Sequence, residues 1–239
     1  MRNIKGIFPG VFTVGNMFCG FASILSSFDG ETVFAVWMII LAGFFDALDG
    51  KIARFSGSAS KFGVELDSFA DIISFGIAPA MLFYNLGVYP SGKWGWIPGF
   101  VFVMCGAFRL ARFNIQQTKL GEKLPYMGLP IPTAAITLVS YTLFCSEVWG
   151  NLRFPKALIT MIIAFSGLMV SGIEYETLPK FTLGNRMNKF KLVYLLVFLI
   201  VLIINPRLAL FPFGLIYILS GVVKSGFELL HTEKQETTA

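Results

Sequence analysis

The sequence predicts an all-α polytopic membrane protein, and three observations carry that prediction. Apolar residues make up 55% of the 239 residues and charged residues only 14%, against about 25% charged in soluble domains. Mean hydropathy is +0.72. The apolar residues gather into runs of about 20, the length a helix needs to cross the hydrocarbon core.

Eight such runs fall at about residues 7–28, 32–52, 64–86, 94–113, 131–148, 157–173, 190–204 and 208–229. The first is too long for a signal-peptide core and has no small-residue cleavage site, which predicts a retained helix. Residues 29–31 are a short connection, so the second run lies antiparallel to the first. Ser56, Gly57, Ser58, Ala59, Ser60 and Lys61 form a flexible turn into the third run. The fourth ends in the basic pair Arg109 and Arg112. Two polar, basic loops, 115–127 and 174–188, flank the fifth and sixth runs, and 205–207 joins the seventh tightly to the eighth. Residues 232–239 are polar and read as a disordered tail. No linker divides the chain, so 1–239 is expected to be one integral membrane domain.

Lys and Arg placement sets the orientation, because cytoplasmic loops retain positive charge. With the amino terminus inside, 15 of the 19 basic residues lie on the cytoplasmic side, leaving Lys93, Arg153, Lys156 and Arg207 outside. Both termini are therefore expected in the cytoplasm. The basic loops need no more than ordinary anchoring to explain them, and no nucleic-acid partner is expected. Cys19, Cys105 and Cys145 fall inside predicted helices without metal-type spacing and read as small apolar residues. The single histidine, His231, stands beside the tail and is no catalytic candidate.

Against this background four carboxylates stand out. Asp46, Asp49, Asp67 and Asp71 lie at the ends of apolar stretches, where a charge at mid-membrane costs about 2.5–3.5 kcal/mol and marks a functional site by default. Asp49, Gly50 and Ala53 stand three, four and seven residues on from Asp46, so all four share a face of the second helix. Gly63, Asp67 and Asp71 recur at four and make a matching stripe on the third. Gly50, Ala53 and Gly63 are small enough to let a backbone or ligand approach. Oxygen ligands from two facing helices suit a hard divalent cation, and this many suit a pair of them. Paired cations can clamp a phosphoryl displacement, and Arg54 adds a planar cation matched to phosphate oxygens.

The full run, Asp46-x2-Asp49-Gly50-x2-Ala53-Arg54-x8-Gly63-x3-Asp67-x3-Asp71, resembles the signature of the CDP-alcohol phosphatidyltransferases at every specified position. The resemblance implies a six-helix core, here with two further C-terminal helices. It implies Mg2+ or Mn2+ as cofactor, a CDP-linked lipid and an alcohol as substrates, CMP as product and a homodimer as assembly. By the same carry-over all four aspartates hold metal and Asp71 doubles as general base. Gly50, Ala53, Arg54 and Gly63 would border the CDP-lipid. Pro9, Thr13 and Asn16 resemble polar positions that family members carry near the nucleotide.

Three more segments resemble the phosphatidylserine synthase branch: Ser74-Phe75-Gly76-Ile77-Ala78-Pro79-Ala80, Phe108-Arg109-Leu110-Ala111-Arg112-Phe113-Asn114 and Gly128-Leu129-Pro130-Ile131-Pro132. They imply transfer of the phosphatidyl group of CDP-diacylglycerol to L-serine, a step of phospholipid biosynthesis at the plasma membrane. Either Arg109 or Arg112 would pair with the serine carboxylate, a task for planar bidentate donors, and Asn114 is a further serine contact. Two alternatives stay open: a sister enzyme using glycerol 3-phosphate or an inositol phosphate, and a divalent-cation transporter using the same ligands for transit.

Overall fold

The computed structural model describes residues 7–56, 61–90, 92–119, 127–173, 175, 197 and 200–236, with side chains at 7–9, 53–56, 61, 116–119 and 227–236 outside that description. Among the described residues there is no β-strand. The helices are α1 (Ile7–Phe28), α2 (Thr32–Ser56), α3 (Lys61–Asp71), α4 (Ala78–Asn85), α5 (Ile97–Lys119), α6 (Ile131–Trp149), α7 (Pro155–Val170) and α8 (Pro206–Glu236). Five stretches, Gly10–Phe28, Thr32–Ile52, Phe62–Asn85, Ile131–Trp149 and Pro206–Gly226, are long and apolar enough to cross a membrane, and Pro155–Val170 is a shorter apolar helix. The protein is an all-α polytopic membrane protein, as its sequence predicts.

α1 shows how the sequence sorts its faces. Val11, Val14, Phe18, Phe21, Leu25 and Phe28 are exposed and recur at three and four residues, an outward stripe suited to lipid. Thr13, Asn16, Gly20, Ser23 and Ser27 recur at the same spacing and are buried. Small and polar residues on the inner face let helices approach and bond across the interface. The turn to α2 is closed by Gly30, at φ +78, with Glu31 N donating to Ser26 O at 2.9 Å and Gly30 N to Ser27 O at 3.4 Å. This is the Schellman arrangement, which glycine adopts without a Cβ penalty.

α3 and α4 are one continuous rod joined by a π-helical turn, Ile72–Ile77. Pro79 explains it: proline has no N–H, and in an α-helix its ring would strike the carbonyl four residues back. The backbone widens instead, and Ala78 N–H reaches back five residues to Ile73 O. Ser74, Phe75 and Gly76 of this turn are buried.

α6 runs through the middle of the bundle, with Ile131, Ala134, Ala135, Leu138, Val139, Leu143 and Cys145 buried. α8 rests on it where Gly214 faces Thr137, so close that a Cβ would come within 2.3 Å of the Thr137 Oγ1. α7 packs on α5. Arg207 on α8 pairs with Glu147 on α6 at 3.3 Å. Cys19 and Cys145 are buried, Cys105 is half-buried, and all three are free thiols.

Two expectations are corrected. α5 continues to Lys119, six residues past the expected end at 113, because Asn114 to Lys119 contains neither Gly nor Pro to stop a helix. α8 runs through Glu236, so 232–236 is helical rather than a disordered tail; Glu, Lys and Gln there are good helix formers. The expected span at 190–204 lies mostly outside the described residues, which there include 197 and 200–204, all helical. The loop 174–188 and the turn 57–60 also lie outside them, apart from Tyr175.

Candidate functional site

α2 brings Asp46 and Asp49 to the site and α3 brings Asp67 and Asp71. One carboxylate oxygen from each of Asp46, Asp67 and Asp71 lies within 4.8 Å of the others. Asp49 and Asp71 are buried at 6% exposure, while Asp46 and Asp67 are half-buried at the mouth. The two stripes read from helical spacing therefore face each other.

α1 closes the third side. The Thr13 hydroxyl donates to Asp49 Oδ2, and Asn16 Nδ2 donates to Asp71 Oδ1 at 3.1 Å. Ser74, in the π turn, donates its Oγ to the main-chain oxygen of Asn16 at 2.8 Å. Gly20 permits this approach, since a Cβ there would lie 2.7 Å from the Ser74 Cα. From α5, the buried Arg109 interacts electrostatically with both Asp46 and Asp71.

The donor set fits a hard divalent cation. Asp49 Oδ1, Asp67 Oδ1 and Asn16 Oδ1 are buried and have no hydrogen-bond partner among the described residues, and a buried unmade bond costs about 1–3 kcal/mol. Carboxylates this close repel one another unless a cation or proton intervenes. Carboxylate oxygens are ligands that suit Mg2+ and Mn2+.

The other residues singled out from sequence divide into three groups. Gly50 is exposed, and a Cβ on it would meet nothing within 4 Å, so the face beside Asp46 and Asp49 is open to a ligand. Gly63 is half-buried at the start of α3. Ala53 and Arg54 lie where side chains fall outside the described residues, as does Pro9. Arg112 and Asn114 turn to neighbouring segments. Arg112 donates to Val170 O at 3.2 Å, Met127 O at 3.0 Å and Ser171 O at 3.2 Å, fastening α5 to the end of α7. Asn114 Nδ2 donates to Ser68 Oγ at 2.9 Å, fastening α5 to α3. Gly20 is the residue that sequence reasoning passed over. The signal was present, because Thr13, Asn16 and Gly20 repeat at the same three and four spacing as the carboxylates.

Fold and site together define a polytopic membrane protein whose carboxylates, gathered from two helices beside a buried arginine, suit a hard cation. The chain belongs to the CDP-alcohol phosphatidyltransferase family, whose model matches residues 6–170. It is similar to the CDP-diacylglycerol--serine O-phosphatidyltransferase of Helicobacter pylori, 34% identical over 221 residues, 91% of this chain and 90% of that protein. A protein of the same description from Methanocaldococcus jannaschii is 37% identical over 188 residues, 78% of this chain and 82% of that one. The archaetidylserine synthase of Methanothermobacter thermautotrophicus is 39% identical over 171 residues, 70% of this chain and 68% of that one.

Proposed function

We propose that this protein transfers the phosphatidyl group of CDP-diacylglycerol to the hydroxyl of L-serine, giving phosphatidylserine and CMP in phospholipid biosynthesis. The observation that carries the reading is the convergence of Asp46, Asp67 and Asp71 within 4.8 Å, with Asp49 and Arg109 beside them. Relatives described as acting on serine support the choice of acceptor.

In the reaction the serine oxygen forms a bond to the lipid-bearing phosphorus, and the bond from that phosphorus to the CMP oxygen breaks. A neutral hydroxyl is a weak nucleophile, so Asp71 takes its proton as general base. Asp46, Asp49, Asp67 and Asp71 hold the divalent cations, Mg2+ or Mn2+ and two in number. Cations held there would supply positive charge to the diphosphate oxygens. Gly50, Ala53, Arg54 and Gly63 border the CDP-lipid on the open face of α2 and α3. Arg109 pairs with the serine carboxylate. Arg112 is less suited to that task, since it already donates to three main-chain carbonyls, and Asn114 serves by tying α5 to α3.

The protein works as one membrane domain in the plasma membrane, with both termini and the site on the cytoplasmic side, and as a homodimer. The excess of Lys and Arg at that end supports the orientation. Serine and CMP then exchange with the cytosol while acyl chains stay in lipid.

The test is purified protein with CDP-diacylglycerol and Mn2+ or Mg2+, given labelled serine, glycerol 3-phosphate or inositol phosphate in separate reactions. Phosphatidylserine and CMP are expected from serine alone. Lipid product from glycerol 3-phosphate and none from serine overturns the assignment. Replacing the diacyl donor with its archaeal ether counterpart decides the chain type.

A further inference from the structure

α1 contributes no carboxylate to the site, yet two of its side chains end on carboxylates. Thr13 and Asn16 are one turn apart and buried at 2% and 0% exposure. They reach different helices: the Thr13 hydroxyl meets Asp49 on α2 and the Asn16 amide meets Asp71 on α3. An ionised carboxylate only accepts hydrogen bonds, so the amide nitrogen is the atom that faces Asp71. Asn16 is itself held, because Ser74 Oγ bonds its main-chain oxygen. Gly20, one turn further on, lies against the Ser74 backbone too closely for any Cβ. This stretch of α1 therefore has little freedom to slide or rotate.

We infer that Thr13 and Asn16 are positioning residues that each hold one oxygen of a carboxylate, leaving the second oxygen of Asp49 and Asp71 for the cation and the acceptor proton. The inference rests on the proposed transfer reaction. It differs from the nucleotide contact that resemblance implies for these two residues, and the two roles separate in experiment. A lost nucleotide contact weakens binding of the CDP-lipid. A lost tether leaves that binding intact and weakens the cation site and the chemical step, because partners of metal ligands fix ligand orientation.

The variants are Asn16→Leu and Thr13→Val, close in shape but unable to donate, with Thr13→Ser, which keeps the hydroxyl. Mn2+ affinity is measured by calorimetry on metal-free protein in detergent, alongside kcat and the KM for CDP-diacylglycerol. Mn2+ affinity and kcat are expected to fall about 10–100-fold, with that KM within about twofold of the parent value, and Thr13→Ser to recover most of the loss. A raised KM with unchanged Mn2+ affinity and kcat overturns the inference. Thermal unfolding checks each variant. If Asn16→Leu does not fold, Thr13→Val and Ser74→Ala carry the same test, the latter loosening Asn16 without altering its side chain. Parent protein that makes no phosphatidylserine overturns the reaction instead, and the Mn2+ affinities still report on the tethers.

Discussion

Gly20→Ala adds a single carbon at the contact between α1 and the π turn. Its Cβ would sit 2.3 Å from Ser74 Oγ and 2.7 Å from Ser74 Cα, and real Cβ contacts essentially never fall below 3.0 Å. The hydroxyl can rotate away, but the Cα belongs to the backbone of a buried turn. To reach ordinary contact at 3.4 Å, the two helices must part by about 0.7 Å, a strain of the kind that costs about 1–3 kcal/mol in a packed core. The same parting stretches the bond from Asn16 Nδ2 to Asp71 Oδ1, now 3.1 Å, to about 3.8 Å, beyond useful hydrogen-bond range. Gly20→Ala is thus expected to lower the unfolding temperature in detergent and, with Asp71 as the proposed metal ligand, to reduce turnover about 10–100-fold. Thermal unfolding and CMP release, measured on the same preparation, check both parts. A variant with parental unfolding temperature and parental turnover would refute the close-packing account of α1.

Asp71→Asn removes the proposed base and is expected to cut CMP release at least about 100-fold while CDP-lipid binding persists; normal turnover would end the assignment of Asp71 as base. Arg109→Ala is expected to raise the serine KM about tenfold or more, the cost of a lost charged hydrogen bond, and leave the CDP-diacylglycerol KM near the parent value. Arg112→Ala, which gives up three main-chain bonds, should lower the unfolding temperature and impair both substrates equally; a selective effect on serine would move the carboxylate contact to Arg112. Gly128→Ala forces a side chain at φ +82 onto the Met169 carbonyl, 2.2 Å away, and is expected to destabilise by about 1–3 kcal/mol, read by thermal unfolding. Chelation with EDTA should abolish transfer, and Mg2+ or Mn2+ should restore it; full activity in chelator would count against a cation at the aspartates.

Periodicity made the frame of this site legible before any coordinates. The spacing of Asp46, Asp49, Asp67 and Asp71 sufficed to place two stripes on two helices, because helical geometry is local. What the stripes meet is not local. Thr13 and Asn16 were visible as polar residues of α1, but their choice of Asp49 and Asp71 depends on how three helices come together. Arg109 and Arg112 look alike in sequence, one turn apart on one helix. Packing separates them, with one guanidinium beside the carboxylates and the other on the carbonyls at the end of α7. α5 and α8 run past the points where polarity alone would end them, because polar residues such as Gln116, Gln117, Glu233 and Lys234 are themselves good helix formers.

The π turn at Ile72–Ile77 acts as a phase shifter. Each residue of an α-helix advances about 100° around the axis, so the extra residue in that turn rotates everything beyond it by about as much. Upstream, α3 offers Asp67 and Asp71 to α1 and α2; downstream, α4 sets Leu82 and Phe83 into the apolar core. One rod can serve a polar site at one end and a greasy core at the other because the two halves are wound out of step. Deleting a single residue there would leave a straighter and more regular helix, with either the carboxylates or the phenylalanine pointing the wrong way.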